Sequence, residues 1–353
     1  MHTSQNAVSN PSEDDDWMQL ALQQAELGVG RTAPNPPVGA AIVRDGKLLG
    51  LGWHRAAGQP HAEREAIAAA TAAHGAAALR GATIYVTLEP CCSHGRTPPC
   101  TQGIIDAGFS RVVYACVDPD PRHAGRADNI LKAAGISVTS GVLQSQAAEF
   151  IAAFIKVRQT GLPWVIWKTA MSLDGRLTRP PGEGQWLTSP EARADVQVWR
   201  SKVDAILTSG ETVRRDRPCL TIREPGLLVG RQQPWRVVLT RNPESLPRDA
   251  PMFADAWQDR TLIRGGKSLT AHLRDLAGEH GVLSVMTECG GALAAGLFAE
   301  NLVDEVLIYL APLLCGGPTP ALAGPVSMPT VPLKNADFHA IGPDIRMHAF
   351  VKR

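Results

Sequence analysis

The sequence predicts an α/β protein of two domains, and three observations carry that expectation. A chain of 353 residues is too long for one ordinary hydrophobic core, because domains run to roughly 150 residues each. In both halves β-branched apolar runs alternate with helix-forming stretches, the pattern of strands covered by helices. Between the halves, Thr160-Gly161-Leu162-Pro163 sets a glycine and a proline close together, which makes it the expected linker. Hydrophobic residues at 44% and charged residues at 20% fit a globular protein, and 33 glycines with 27 prolines predict many tight turns.

Taken in order, residues 1–13 are polar and without period and read as a mobile tail. Asp14, Asp15 and Asp16 then precede Trp17, Leu20, Leu22 and Leu27, so a helix begins where its N-terminal dipole favours acids. The run Ala33-Pro34-Asn35-Pro36-Pro37-Val38-Gly39 cannot be helical and reads as a shaped loop feeding a strand over 40–44. Asp45-Gly46 turns the chain into a second strand over 47–53, with His54 on the loop beyond. The alanine-rich stretch 62–74 has strong helix propensity, and 83–88 is an apolar, β-branched strand that delivers Glu89-Pro90-Cys91 to a loop. A helix from Cys100 to about Ala107, a strand over 111–117, a helix near 129–134 and a strand over 136–139 complete a first domain spanning 14–145. Residues 146–163 read as a connecting helix and linker.

The second domain, 164–353, opens with a strand over 164–168 and the phrase Met171-Ser172-Leu173-Asp174-Gly175-Arg176. Ser189-Pro190-Glu191 combines a serine N-cap, a proline at the first helical position and an early acid, so a helix runs from there to about Lys202. A strand over 205–208 ends at Ser209-Gly210-Glu211-Thr212-Val213, and another follows over 236–239. The strand over 282–287 ends in Glu288-Cys289-Gly290-Gly291-Ala292-Leu293-Ala294-Ala295-Gly296. Glycines at such a junction let backbone amides approach a phosphate, although a plain tight turn would use the same residues.

The net charge of +1 leaves no basic excess for a nucleic-acid polyanion, while small anionic ligands remain compatible with it. Seven cysteines, an odd number with Cys91 and Cys92 adjacent, do not make a disulfide framework and fit a reducing, cytoplasmic setting. The N-terminus has neither a basic nor an apolar leader region, and no apolar run approaches the roughly 18 residues a membrane span needs. No membrane partner is therefore expected.

The chemistry gathers at His61-Ala62-Glu63, answered by Pro90-Cys91 and by Cys100. One imidazole and two thiolates suit a tetrahedral zinc whose fourth position is open, which is the catalytic rather than the structural arrangement. Glu63, two residues from His61 at a helix start, can reach a water in that position without being a ligand, as a proton shuttle must. Cys92 is a rival thiolate to Cys91. A closed, structural zinc site would instead recruit His94 or Cys92 as a fourth ligand and have no use for Glu63.

These motifs carry a resemblance. H-x-E followed by P-C and a second cysteine is the general signature of zinc deaminases, and most cytidine-type members separate the two cysteines by two residues. Here Cys91 and Cys100 lie nine positions apart across Gly95-Arg96-Thr97-Pro98-Pro99. That spacing, with Pro34-Asn35-Pro36, Val38-Gly39, His54, Asp118-Pro119-Asp120-Pro121 and Gly125-Arg126, resembles the bifunctional riboflavin-biosynthesis deaminase and reductase family. The likeness covers nearly the whole chain from about Asp16. Lys168, Ser172-Leu173-Asp174-Gly175, Trp186, Arg200, Thr212-Val213, Asp216, Leu220-Thr221-Ile222-Arg223 and Glu288 through Gly296 extend it into the second half.

The resemblance implies a cytidine-deaminase-like three-layer domain followed by a dihydrofolate-reductase-like domain, with zinc and NADPH as cofactors. The activity it implies is hydrolytic deamination of a diaminopyrimidine ribose 5-phosphate, then NADPH-dependent reduction of the ribosyl group to ribityl. His61, Cys91 and Cys100 become the zinc ligands and Glu63 the catalytic acid and base. Asn35, His54 and Arg96 are implied to hold the pyrimidine or its phosphate. Ala170, Trp186, Thr212, Asp216 and the segment Gly290 to Gly296 would line the NADPH site, and Gly184, Arg200, Leu220, Arg223 and Glu288 the substrate site. Arginine suits the phosphate because its planar fork gives bidentate contacts. A small-molecule partner and a homo-oligomer complete the expectation. This chain departs from the family pattern at Cys92-Ser93, Gly184, Arg217 and Thr240-Arg241, so a deaminase with an impaired reductase half is the alternative reading.

Overall fold

The acidic residues at the start of the first helix, α1 (Glu13–Glu26), fill its first turn, where unpaired backbone N–H groups favour negative charge. The computed structural model describes residues 13–93, 98–121, 123–323 and 330–353. The chain divides into two compact units, Met1–Gln159 and Thr160–Arg353. Among the described residues no helix is long and apolar enough to cross a membrane.

The first unit continues with β1 (Gly39–Arg44), β2 (Lys47–Trp53), α2 (Ala62–His74), β3 (Thr83–Leu88), α3 (Cys100–Ala107), β4 (Arg111–Cys116), α4 (Arg126–Ala133) and β5 (Ser137–Ser140). The sheet order is β2-β1-β3-β4-β5; β1 runs antiparallel to its neighbours β2 and β3, and β3, β4 and β5 are parallel. Ala62, Ala66 and Ala70 of α2, Ile104 of α3 and Ala127 and Leu131 of α4 share one core with Ala40, Ile42, Ile84 and Val86 of the sheet. The expected single connecting helix is two, α5 (Gln144–Phe150) and α6 (Ala152–Thr160). Both count with the first unit, and α5 packs on β4 and α1. Ala147, Ile151 and Phe154 are buried, so this stretch is core rather than connector.

Glycines set the spacing of these layers. A Cβ on Gly39 would stand 2.0 Å from Ala21 O of α1, and one on Gly52 would stand 2.3 Å from Ala66 N of α2. Gly52 pairs with Ala40, the residue after Gly39, so the two glycines serve opposite faces of the sheet. One helix therefore lies against the β1-β2 ribbon on each side, the three-layer arrangement.

The second unit holds β6 (Trp164–Ser172), α7 (Pro190–Ser201), β7 (Ala205–Ser209), α8 (Gly210–Asp216), α9 (Pro225–Leu228), β8 (Trp235–Leu239), α10 (Pro251–Ala254), β9 (Thr261–Arg264), α11 (Leu269–His280), β10 (Ser284–Glu288), α12 (Gly291–Ala299), β11 (Glu305–Ala311), β12 (Leu333–Ile341) and β13 (Asp344–Val351). Its sheet order is β12-β13-β11-β6-β10-β7-β8-β9, parallel from β11 to β9 with an antiparallel β12-β13 hairpin at one edge. The N-cap forms as expected: Ala192 N–H donates to Ser189 Oγ at 3.2 Å, with Pro190 at the first helical position. Because β10 inserts between β6 and β7, their carboxyl ends lie side by side, and such a junction in an open parallel sheet is where ligands bind.

Gly52→Ala drives a methyl into the α2 backbone, which flexible side-chain movement cannot relieve. We expect a loss of about 2–4 kcal/mol in the stability of the first unit, read as a lowered Tm of the corresponding transition, together with weaker zinc retention. An unchanged melt would show that α2 can shift freely.

Candidate active sites

The first site is assembled from three segments. His61 is the N-cap of α2, so its side chain stands at the helix mouth and Glu63 falls in the first turn, with its side chain buried. Cys91 leaves the end of β3, and Cys100 opens α3. His61 Nδ1 lies 3.6 Å from Cys91 Sγ and 3.4 Å from Cys100 Sγ, and the three donor atoms all fall within 4.8 Å of one another. A tetrahedral zinc with Zn–N of about 2.05 Å and Zn–S of about 2.3 Å needs a nitrogen–sulfur separation of about 3.6 Å. The donor set thus fits zinc in both chemistry and spacing. Cys92 is not in this group, so the cysteine that stands with His61 and Cys100 is Cys91.

Electrostatics agree with the geometry. The hydrogen bond from the Cys100 thiol holds Cys91 well below the usual thiol range, against the effect of its burial and with help from His61, so Cys91 is the member of the pair that ionises first. Burial raises Glu63, and the nearby Cys91 thiolate adds to that. His54 is buried, its Nδ1 is 3.0 Å from Pro60 O, and its Nε2 is 3.0 Å from Asn35 Nδ2. A carbonyl can only accept, so Nδ1 carries the proton; burial lowers the pKa, the ring stays neutral, and Nε2 accepts from the Asn35 amide. Among the described residues Asn35 Oδ1 has no hydrogen-bond donor, so it stands as an acceptor. The His54 ring meets the His61 ring edge-on at 5.3 Å, which joins the Asn35–His54 pair to the metal-ligand set. Arg96 lies outside the described residues.

One residue the sequence reading passed over is Glu89. It is buried beside the ligand turn and accepts from the backbone N–H groups of Asp118 (3.1 Å), Gly125 (2.9 Å) and Ala127 (3.1 Å). It therefore anchors the chain at Asp118 and at Gly125, and with Ala127 the start of α4. The signal available in the sequence was an acid at the end of a buried strand, where an unpaired carboxylate would be costly.

The second site is a cleft of about 710 Å³ at the carboxyl ends of β6, β7 and β10. Lys168, Ala170, Trp186, Thr212, Asp216 and Gly290 line it, as do Arg200, Leu220, Arg223 and Glu288. Arg200 is tied to the protein through three of its five N–H donors. It makes a bidentate pair with Glu288 (2.7 and 3.0 Å) and donates through Nη1 to Thr221 O at 2.9 Å. Lys168 stands 3.7 Å from the same carboxylate. Burial works to raise Glu288, but Arg200 and Lys168 outweigh it and hold the acid at about 2. Arg223, by contrast, is exposed on the cleft and forms no ion pair with a carboxylate among the described residues.

Two groups of expected residues stand elsewhere. Gly184 is exposed at φ +98°, has nothing within 4 Å of where a Cβ would be, and does not line the cleft. Of the stretch Gly290 to Gly296, only Gly290 lines it. Gly291 is lodged against Pro320 O, where a Cβ would meet that oxygen at 2.6 Å, and Ala294 and Ala295 are buried with Leu293 packed against the core. Ala294, Ala295, Leu297 and Phe298 of α12 point into the unit because the helix must cover the sheet, while Ala292 is exposed. Among the family departures, Arg217 lines the cleft but its guanidinium pairs with Asp249 at 2.6 Å, and Thr240 is not a lining residue.

The comparisons with known proteins follow this division. Residues 11–116 match the family model described as the cytidine and deoxycytidylate deaminase zinc-binding region. Residues 163–347 match the RibD C-terminal domain. The Escherichia coli riboflavin biosynthesis protein RibD is 39% identical, over 95% of this chain and 99% of that protein. The chain belongs to the RibD family. The Haemophilus influenzae RibD is 40% identical over 86% of this chain and 87% of its own. A crystal form of Acinetobacter baumannii RibD superposes with a TM-score of 0.87 at 36% identity, covering 96% of this chain and 99% of that one. A deaminase and reductase from Thermotoga maritima gives 0.85 at 30% identity with the same coverage. This RibD-family chain is accordingly a bifunctional deaminase and reductase of riboflavin biosynthesis, with zinc and NADPH as its cofactors.

Cys91→Ser should reduce zinc from close to one per chain to a small fraction, measured by metal analysis of the purified protein, whereas Cys92→Ser should leave it unchanged. The reverse pattern would move the ligand to Cys92.

Proposed function

We propose that the first unit hydrolytically deaminates 2,5-diamino-6-(ribosylamino)pyrimidinone 5'-phosphate and that the second reduces the ribosyl group of the product to ribityl. The relative from Thermotoga maritima carries the corresponding description, a diaminohydroxyphosphoribosylaminopyrimidine deaminase and 5-amino-6-(5-phosphoribosylamino)uracil reductase. The observation that carries the reading is the buried Glu63 carboxyl in the first turn of α2, two residues from His61 in the three-donor cluster.

Zinc, when bound, lowers the pKa of a water in its open position toward neutrality. Glu63 would take one proton of the attacking water and pass it to the ring nitrogen, and would carry that water's second proton to the exocyclic amine, so that the C–N bond breaks as the carbonyl forms and neutral ammonia leaves. Asn35, held by neutral His54, offers its Oδ1 to an N–H on the pyrimidine edge and so fixes the ring's orientation.

In the second unit NADPH supplies the hydride. All of Trp186, Thr212, Asp216, Ala170, Gly290, Leu220, Arg223 and Glu288 line the cleft; in this reading the first five serve the cofactor and the last three the substrate. Glu288, kept anionic by Arg200 and Lys168, is an acceptor for ribosyl hydroxyls. Arg223 takes the 5'-phosphate, since it is exposed on the cleft without a carboxylate partner among the described residues, while Arg200 beside Glu288 keeps two N–H donors for the substrate. A small anionic ribotide, rather than a nucleic acid, accords with the net charge of +1.

Glu63→Gln should keep zinc and lose ammonia release by a factor on the order of 10²–10⁴, while NADPH oxidation on already deaminated substrate continues. Full deaminase turnover would remove Glu63 from this role. Arg223→Ala should raise KM for the deaminated ribotide about tenfold or more, as loss of a charge-assisted phosphate contact does, yet leave the dephosphorylated riboside unaffected. Equal effects on both substrates would locate the phosphate elsewhere.

A further inference from the structure

The segment Cys219–Arg223 belongs to no helix or strand, yet it supplies Cys219, Leu220 and Arg223 to the wall of the reductase cleft. Backbone in such a conformation must satisfy its polar groups some other way. Here buried side chains do so, residue by residue. Arg236 Nη1 donates to Cys219 O at 3.0 Å, and Arg200 Nη1 donates to Thr221 O at 2.9 Å. Gln233 spans Ile222 on both sides: its Nε2 donates to Ile222 O and its Oε1 accepts from Ile222 N–H, each at 2.8 Å. Gln197 Oε1 accepts from Arg223 N–H, also at 2.8 Å.

These side chains are themselves fixed. Gln197 and Gln233 are 3% and 4% exposed and Arg236 is 1% exposed, and Arg236 is further tied to Asp255 by two bonds and to Trp257 O. Gln197 and Arg200 lie three residues apart on α7 and so share a face of that helix. Leu220, inside the segment, is buried at φ +51°, a left-handed backbone that a leucine adopts only when its surroundings impose it. The clamp is what imposes it. Gln233 imitates the two hydrogen bonds of a neighbouring strand at the one point where no strand is present.

We propose that Gln233 is a positioning residue of the reductase: by clamping Ile222 it sets the placement of Leu220 and Arg223 against the substrate. The proposal deepens the reading that this cleft takes the ribotide and that Arg223 meets its phosphate. Gln233 itself does not line the cleft, so it acts through the segment it holds. The residues assigned to the cofactor, Ala170, Trp186, Thr212 and Gly290, come from other segments of the cleft wall.

The test is steady-state reductase kinetics on the full chain with deaminated ribotide, with NADPH binding measured separately by fluorescence. Gln233→Leu removes both amide bonds, and Gln233→Glu keeps the acceptor for Ile222 N–H but sets an oxygen against Ile222 O. We expect KM for the ribotide to rise about tenfold, the scale of losing partners for buried backbone groups, with NADPH affinity within about twofold of the parent. The glutamate variant covers the case in which the leucine variant fails to fold, and normal NADPH binding certifies a folded unit. A fall in kcat with both KM values unchanged, or a parallel loss of NADPH affinity, overturns the proposal, because either marks general structural damage. Arg223→Ala separates the two readings: if it leaves the ribotide KM unchanged while Gln233→Leu raises it, the phosphate assignment fails and the positioning role stands.

Discussion

The backbones of α2 and β2 approach to a separation that no side chain could share, with a Cβ at Gly52 meeting Ala66 N at 2.3 Å and one at Gly50 meeting Ala66 O at 2.8 Å. This contact seats the first turn of α2, and with it His61 and Glu63, over the strand that leads into His54. The alanines on the buried face of α2 have the same cause, because only small side chains allow a helix to lie so near a sheet. Cysteine donors from the end of β3 and the start of α3 meet His61 at 3.6 and 3.4 Å where that close packing places the helix start. Preorganisation of this kind suits the two proton transfers proposed for Glu63.

In the reductase unit the corresponding constraint is a buried ion pair. Arg200 and Glu288 come from α7 and the end of β10, and taking both charges from water is expensive unless their remaining bonds are filled. They are filled by each other, by Thr221 O and by Lys168. The sign of the linkage follows from the depressed Glu288: its contribution to stability is present above the ordinary glutamate pKa of 4.5 and is lost as pH falls through about 2. Arg200 thus braces the cleft wall, whereas Arg223 is exposed on it and has no carboxylate pair among the described residues.

Legibility in the sequence tracked how local the determining physics was. The strand over 47–53 and the helix over 62–74 match β2 and α2, because a turn dipeptide and an alanine run act within a few residues. The strands β9, β11, β12 and β13 and helix α11 went unassigned. The edge strand β12 is exposed along nearly its whole length, so the short alternation of Ala336, Phe338 and Ala340 with Asp337 and His339 marks no buried face. Residues 210–216 fold as α8 where only a strand end was expected, since the Ser209 cap on Thr212 N–H is a local signal that glycine next to it obscured.

The sequence by itself determined the chemistry: one histidine, two cysteines and a neighbouring glutamate at spacings that fit an open zinc site, and a family likeness that joined it to a reductase. Only the tertiary structure decided the partners. That Cys91 rather than Cys92 stands with His61, that Arg200 is spent on Glu288, that Gly291 packs against its own chain and that Gln233 holds Ile222 all depend on contacts between segments far apart in sequence. Residue type fixes what a side chain can do, whereas its partner is fixed by which backbone segments the packed sheet brings within hydrogen-bonding reach.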